Sequence, residues 1–579
     1  MLSLSDLLPR EIPNGKQLVD NGREIGAATT MGISAFCRAH GVTSELEYKL
    51  KMAREGRTMT ALTIGLQDWP DTRAGLEKIY RACEERGFYI DRYILALDRR
   101  MGLPAEMRAA AIKETGPLLV TAADWNEVAQ SVPIQPHLGD MMIGSPASVD
   151  NTRRALEAGV NYIGNMSQFA WKYQGWPGDD VDQMAEVVKA LGLMASKADA
   201  GAVVHSYLDD GFPAQFGDYS SYVGWAKFER YVVEELIGAK LGIAYGGLTH
   251  RPVMKMVVAM AIEESRPANV ATSFYYTNTT RYTPIMEENY GILGVDALHL
   301  MLADRHIRGG AAIMPVPVTE AIRIPSPDEI IDAQTVARTI AATVPDIYDT
   351  VNWPVLEAQR DNLVTQGNHF FDNIINGLND AGVDITDPLQ VLVAVRRLGS
   401  AGIERHFGVG TPTEDPAFDG YEPIVPTDVL QDFLNVRNEL REVSRPKSWT
   451  LNRSHKAVIA SSDVHELGMR LVVDVTESLG IKPVIGSVGV DPDELAELAL
   501  LEEATAVLVS THNGMALSYG ESLMRELAAR NIKPQVIFGG KLNQDVKGSE
   551  MPVDVTDELT ALGIDVCHNL KDLASIIKN

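Results

Sequence analysis

Ser461-Ser462-Asp463-Val464-His465-Glu466-Leu467-Gly468 is the stretch on which the fold is decided. A short apolar run over 456–460 precedes it and reads as a buried strand; an apolar-periodic stretch over 467–479 follows and reads as a helix. A histidine on the loop between them can point its imidazole out of the carboxyl edge of a parallel sheet, where ligands bind in such folds. Asp463 can accept the hydrogen bond from the other ring nitrogen of His465, which fixes the tautomer and raises the basicity of the coordinating nitrogen. Gly468 lets the start of the helix lie close against something bulky. The arrangement suits His465 as a single axial ligand on a metal that brings its own equatorial ligands. A protein-built zinc site would need three or four side chains.

The residues downstream continue the pattern. Strands are expected over 482–488, 506–510, 534–538 and 563–567, with helices over 492–503, 521–530 and at the end of the chain. That makes five βα units, the count of a flavodoxin-like domain. Ser510 ends the third strand and Gly539-Gly540 ends the fourth, beside the first βα loop, where a long ligand tail fits between strand ends. On these residues the segment resembles the cobalamin-binding domain of the base-off/His-on class, close to the small subunit of glutamate mutase. The resemblance implies that His465 replaces the cofactor's own dimethylbenzimidazole on cobalt and that the displaced nucleotide tail is buried near the serine and the glycine pair. Carried over residue by residue, it implies a cofactor-binding set of Asp463, His465, Gly468, Ser510, Gly539 and Gly540. The family's S-x-L reads Ser510-Thr511-His512 here, so the serine is kept and the leucine is not.

The whole chain bounds the function classes. Its 579 residues allow two or three domains and a large core, and an apolar share of 45% is ordinary for a soluble globular protein. No apolar run approaches the roughly 18 residues that span a bilayer, and the first residues read as no secretory signal. Cys37, Cys83 and Cys567 are too scattered for a disulfide or metal framework, so the expected compartment is the reduced cytoplasm. A net charge of −26 argues against nucleic acid and anionic membranes as partners; it does not identify the expected small-molecule substrate, because a local basic pocket is compatible with any net charge.

Upstream, residues 1–50 read as an arm with helical pieces. From there to 345, eight apolar strands alternate with amphipathic helices: 59–66, 89–97, 140–143, 161–164, 202–206, 242–246, 270–275 and 311–315. Eight such repeats over about 260 residues fit a (β/α)8 TIM barrel. Residues 346–441 extend it with helices, 442–455 read as a linker, and 456–579 form the α/β, flavodoxin-like (Rossmann-like) domain. Setting the barrel's carboxyl-end mouth against that domain's carboxyl edge would enclose the cobalt–carbon bond of adenosylcobalamin, as radical chemistry requires.

The segment 45–435 also resembles the large subunit of glutamate mutase, through Thr58-Met59, Asp98-Arg99, Gly144-Ser145-Pro146, Ala244-Tyr245-Gly246 and 320–325. The resemblance implies a radical carbon-skeleton mutase, with the two subunits fused in one chain and assembled as a homodimer or larger. The substrate residues depart from that family. Of three arginines that hold two carboxylates there, Arg99 alone matches; the others fall near Thr63 and Ile143. The acidic partner of the amino group falls near Asn165 or Met166, and the lysine beside the adenosyl ribose is replaced by Pro327. The expected substrate is therefore a small carboxylic acid or related metabolite other than glutamate. Residues after the barrel strands are the candidates for its pocket: Arg99, Tyr245, His250 and Arg281 first, then Tyr207, Asp209, Asp210, Thr249, Arg251, Tyr275, Tyr276 and Asn278. Competing readings are a cobalamin-dependent methyltransferase, an aminomutase (with Lys541 as the lysine to test), and a non-enzymatic cobalamin-binding protein.

Overall fold

The computed structural model describes residues 2–577 apart from 114, 416, 444–454, 464–465, 513, 545, 547–548 and 550–551. His465 and most of the expected linker lie outside the described residues. The chain divides into two compact units: 1–109, 115–170 and 177–429 form one, and 110–114, 171–176 and 430–579 the other.

The first unit is a barrel of eight parallel strands: β1 (Met59–Ile64), β2 (Arg92–Leu95), β3 (Gln135–His137), β4 (Tyr162–Ile163), β5 (Val203–Tyr207), β6 (Leu241–Tyr245), β7 (Phe274–Tyr276) and β8 (Ala312–Met314). They run in the order β3-β2-β1-β8-β7-β6-β5-β4. The two ends meet through the bridge Leu138↔Ile163, where the Gly164 N–H donates to the Leu138 carbonyl at 3.0 Å. Each strand is followed by helical turns that cover its outer face, so the alternation read in the sequence closes as a (β/α)8 barrel.

The third strand departs from the sequence expectation. Residues 140–143 carry the apolar Met-Met-Ile run, but Met141 sits at φ 61° and the run turns instead of extending. The amides of Met142 and Ile143 both donate to the Gly164 carbonyl at 3.1 Å. The strand is Gln135-Pro136-His137, whose proline and polar side chains carry no strand pattern, yet all three residues are buried. Burial on both faces, not propensity, makes it a strand.

The barrel interior is not wholly apolar. Arg92, 2% exposed, pairs its Nε with Glu45 Oε1 at 3.1 Å and donates from Nη1 to the Ser273 carbonyl at 2.7 Å. Its Nη2 lies 2.6 Å from His137 Nδ1. A guanidinium only donates, so Nδ1 is the acceptor and the ring proton sits on Nε2. The Tyr162 carbonyl 3.0 Å from the same Nδ1 is then a contact without a proton between. Burial first, then the charge of Arg92, holds both His137 and the neighbouring His205 neutral, well below the ordinary histidine range.

Outside the strands, the arm supplies a brace. Helix Gly15–Ala28 packs against helix Asp180–Ser196 through glycines: a Cβ on Gly22 would lie 2.0 Å from the Lys189 carbonyl oxygen, and one on Gly192 would lie 2.3 Å from that of Val19.

The second unit is a five-stranded parallel sheet with β9 (Lys456–Ser461), β10 (Lys482–Val488), β11 (Ala506–Thr511), β12 (Gln535–Gly540) and β13 (Asp565–Cys567). The order β10-β9-β11-β12-β13 is the flavodoxin-like 2-1-3-4-5 arrangement. Its three central strands, β9, β11 and β12, read as apolar runs because both of their faces are covered. Val458, Ala460, Val507, Val509, Val536 and Phe538 enter one core, while Ala457, Ile459, Ala506, Leu508 and Ile537 enter the other.

Overpacking of a close helix contact costs about 1–3 kcal/mol. Gly22→Ala and Gly192→Ala are each expected to lose stability of that order in urea unfolding, whereas Gly291→Ala, which meets nothing within 4 Å, is expected to lose none.

Candidate functional site

At the carboxyl edge of the second unit, the register sets small residues side by side. Ser461 pairs with Ser510, Ser510 with Gly539, and Gly539 with Cys567, so one row across four neighbouring strands ends in two hydroxymethyls, a hydrogen and a thiol. Gly468 lies directly beside it: a Cβ there would stand 2.5 Å from Ser510 Oγ. Gly540 adopts φ +94°, and a Cβ would stand 2.3 Å from the Thr511 carbonyl oxygen. Gly540 is therefore required by the backbone, and Gly468 by the side chain of Ser510. Asp463, 1% exposed, closes the first strand end. Its Oδ2 accepts the His512 N–H at 2.7 Å and the Ser462 hydroxyl at 3.3 Å, and its carbonyl accepts the Gly489 N–H at 2.9 Å. It thus ties the loop after β9 to the loops after β10 and β11. The expected bond from Asp463 to His465 involves a residue outside the described ones.

At the barrel mouth, the four leading candidates fall into two places. Arg99, 7% exposed, starts the turn Arg99–Gly102 after β2, and the carboxylate of Asp98 is taken by Arg100, through Nε and Nη2 at 2.9 Å each. β6 lies four strands away around the ring, and there Tyr245 is fully buried with its hydroxyl on Thr249 Oγ1. Burial holds that phenol well above its ordinary pKa. His250 and Arg281 do meet: Arg281 Nη2 donates to His250 Nε2 at 3.0 Å. The other ring nitrogen, Nδ1, stands 3.5 Å from Asp428 Oδ2, which also accepts the His250 and Arg251 backbone amides at 2.7 and 3.0 Å. Asn278 holds this corner by accepting the Arg281 N–H at 2.7 Å through Oδ1.

The tyrosine pair on β7 splits with the pleat. Tyr275 is buried among groups of the surrounding helices, with the charges of Glu263 and Asp304 acting on it. Tyr276 points inward, stacks on Tyr207 at 4.8 Å and 22°, and shares a hydrogen bond with Thr63 Oγ1 at 3.2 Å.

Beside that stack lies a group whose centre the sequence reading missed. Gln168, fully buried after β4, accepts the Met141 N–H on Oε1 at 3.1 Å, which fixes its amide orientation. Nε2 then donates to Asp140 Oδ1 at 2.9 Å and Asp210 Oδ2 at 3.2 Å. Burial, then the negative charge of Asp210, pushes the Asp140 carboxyl up to about 8, against the opposing bond from Gln168. Burial also raises Asp209 to about 6, opposed by the Gly246 and Leu248 amides. Asp210 was a sequence candidate; Asp140 read as part of a strand, and Gln168 sits in a stretch with no motif. Asp428 lies 178 residues from His250 in the chain, beyond any spacing rule.

Among the described residues, no group of three or more histidine, cysteine or acidic side chains could hold a metal ion, and no helix is long and apolar enough to cross a membrane.

No protein-family model matches this chain, and no curated protein matches it. Among solved structures, a cobalamin-binding protein from Desulfitobacterium hafniense DCB-2 matches over 25% of this chain and 68% of that one, at 20% identity and a TM-score of 0.20. A match of that extent assigns neither family nor ligand.

The acid pair has a measurable signature. A carboxyl whose folded pKa lies above its unfolded value of 3.8 keeps its proton longer in the native state, so its contribution to stability is complete below pH 4 and is lost as pH rises toward about 8. Carboxyl-carbon NMR is expected to show Asp140 titrating near pH 8, with a downward shift in Asp210→Asn. In Asp140→Asn, the decline in stability between pH 4 and 8 is expected to be shallower.

Proposed function

We propose that this chain is an adenosylcobalamin-dependent mutase that carries out a radical carbon-skeleton rearrangement of a small metabolite other than glutamate. The observation that carries the proposal is the row Ser461, Ser510, Gly539 and Cys567 at the carboxyl edge of a 2-1-3-4-5 sheet, with a buried aspartate closing the strand next to His465. That edge fits the nucleotide tail of a corrinoid by its chemistry: small side chains over four strands and a glycine at the helix that follows. When bound, adenosylcobalamin would supply a homolysable cobalt–carbon bond and hence the hydrogen-abstracting radical.

The chain's own residues would have three tasks. Asp463 would hold the loop that carries His465 in place, through its bonds to His512 and Gly489. Ser510, Gly468, Gly539 and Gly540 would leave room for the tail. The barrel mouth, with Arg99 on one side and His250 and Arg281 on the other, would bind and orient the substrate and exclude water.

The test is spectroscopic. Reconstituted protein with ¹⁵N-labelled histidine is expected to show nitrogen hyperfine coupling to Co(II), and His465→Ala is expected to lose it. Gly540→Val, strained at its positive φ and crowded by Thr511, is expected to abolish cobalamin binding. A cobalt(II)–radical signal on adding substrate supports the mutase; a cobalamin-loaded protein that gives none with any candidate acid or amine, while demethylating methylcobalamin, overturns it in favour of methyl transfer.

A further inference from the structure

The barrel opens at one layer of inward-facing side chains. Ala61, His205, Phe274 and Ala312 point into the interior and are at most 2% exposed. Two residues further along the same strands, and so on the same side of the pleat, stand Thr63, Tyr207, Tyr276 and Met314. Met314 is still closed, but Thr63, Tyr207 and Tyr276 are half-buried. Exposure therefore begins in this row, at the carboxyl ends of β1, β5, β7 and β8, where barrels of this kind bind ligands.

The hydrogens of the row are spent inside it. A thioether sulfur only accepts, so Thr63 Oγ1 gives its one hydrogen to Met314 Sδ at 3.4 Å. The phenol of Tyr276 is then the donor in its 3.2 Å contact with Thr63. This relay, Tyr276 to Thr63 to Met314, leaves neither hydroxyl hydrogen for the mouth. Tyr207 stacks on Tyr276 at 4.8 Å and 22°, leans on Phe274, and sets its hydroxyl against Gly247, where a Cβ would stand 2.3 Å from it. Burial holds both phenols well above their ordinary pKa, so the row stays uncharged, and the negative charges of Asp140, Glu320 and Asp210 also act on Tyr276. A carboxylate laid on this row would give up its water, meet no donor from Thr63 or Tyr276 and face those acids. An ammonium end would exchange its water for two oxygens that each hold a bond already.

We propose that Thr63, Tyr207, Tyr276 and Met314 form the specificity-determining floor of the barrel mouth and take an uncharged, aliphatic end, so that the ligand is a small monocarboxylate and neither a dicarboxylate nor an ω-amino acid. That this ligand is the substrate, with its carboxylate toward the arginine-bearing rim, rests on the function proposed above; the aliphatic end rests on the floor alone.

Three probes that share one end read the floor: pentanoate, glutarate and 5-aminopentanoate, each titrated into the full chain and followed by calorimetry and saturation-transfer NMR. Pentanoate is expected to bind about tenfold or more tightly than either of the others, the cost of desolvating a charge without a partner. Met314→Leu keeps the volume but removes the sulfur acceptor, which frees the Thr63 hydrogen for the mouth. In that variant the preference for pentanoate over glutarate is expected to fall by about threefold or more. Thr63→Asn, which adds an N–H donor, is expected to lower the preference further. A purely structural role would move both affinities together and leave their ratio alone. If one variant fails to fold by circular dichroism, the other carries the comparison. Equal or tighter binding of glutarate or 5-aminopentanoate, an unchanged ratio in a folded variant, or binding of no probe overturns the proposal. Cobalamin loading, followed separately by absorbance, reports on the mutase reading, so either can fail without the other.

Discussion

The barrel is weakest where β3 meets β4, and polar side chains hold it shut there. These strands have three and two residues, and one backbone bridge joins them. The seam is completed by Gln168, which crosses from the loop after β4 to Met141, and by Gln183, fully buried, which donates to the Gly144 carbonyl at 2.9 Å. Each buried amide left without such a partner would cost about 1–3 kcal/mol. The same Gln168 orders the two aspartates of the mouth, so closure of the scaffold and placement of its charge are one event. A substitution at 168 would be felt in both.

The sheet edge of the second unit obeys a different constraint. Its core strands are apolar on both faces, and only their last residues are free to be small or polar. Asp463 uses that freedom to bind the backbone of a neighbouring loop and the hydroxyl of Ser462 beside it, which a hydrophobic residue could not do. Burying a carboxylate is costly unless it is hydrogen-bonded, and this one takes two donors.

Legibility followed physical cause. Strands β9 to β13 were readable because apolar runs between helices have one cheap solution, a covered parallel sheet. Seven of the barrel strands were placed for the same reason. β3 was not, because Pro136 and His137 are strand residues through tertiary burial alone, while the apolar run after them turns at Met141. Ser510, Gly539 and Gly540 lie at strand ends, where the sequence places them. The corner of His250 and Arg281 was half visible: both were singled out, but Asp428, which anchors their loop, comes from a helix far along the chain. Gln168 carried no local signal at all. Its importance lies in its two carboxylate partners, and contacts across loops leave no periodicity to read.

Arg92 is a full positive charge inside the barrel, and its counter-charge, Glu45, comes from a helix that precedes the first strand. Removing one partner of a buried ion pair costs about 3–5 kcal/mol, a large part of the margin by which most domains stay folded. The smallest autonomous piece of this unit is therefore longer than the barrel itself. A fragment cut to begin at β1 would inherit an uncompensated cation at its centre, so the N-terminal arm belongs to the fold's electrostatics before it belongs to its shape.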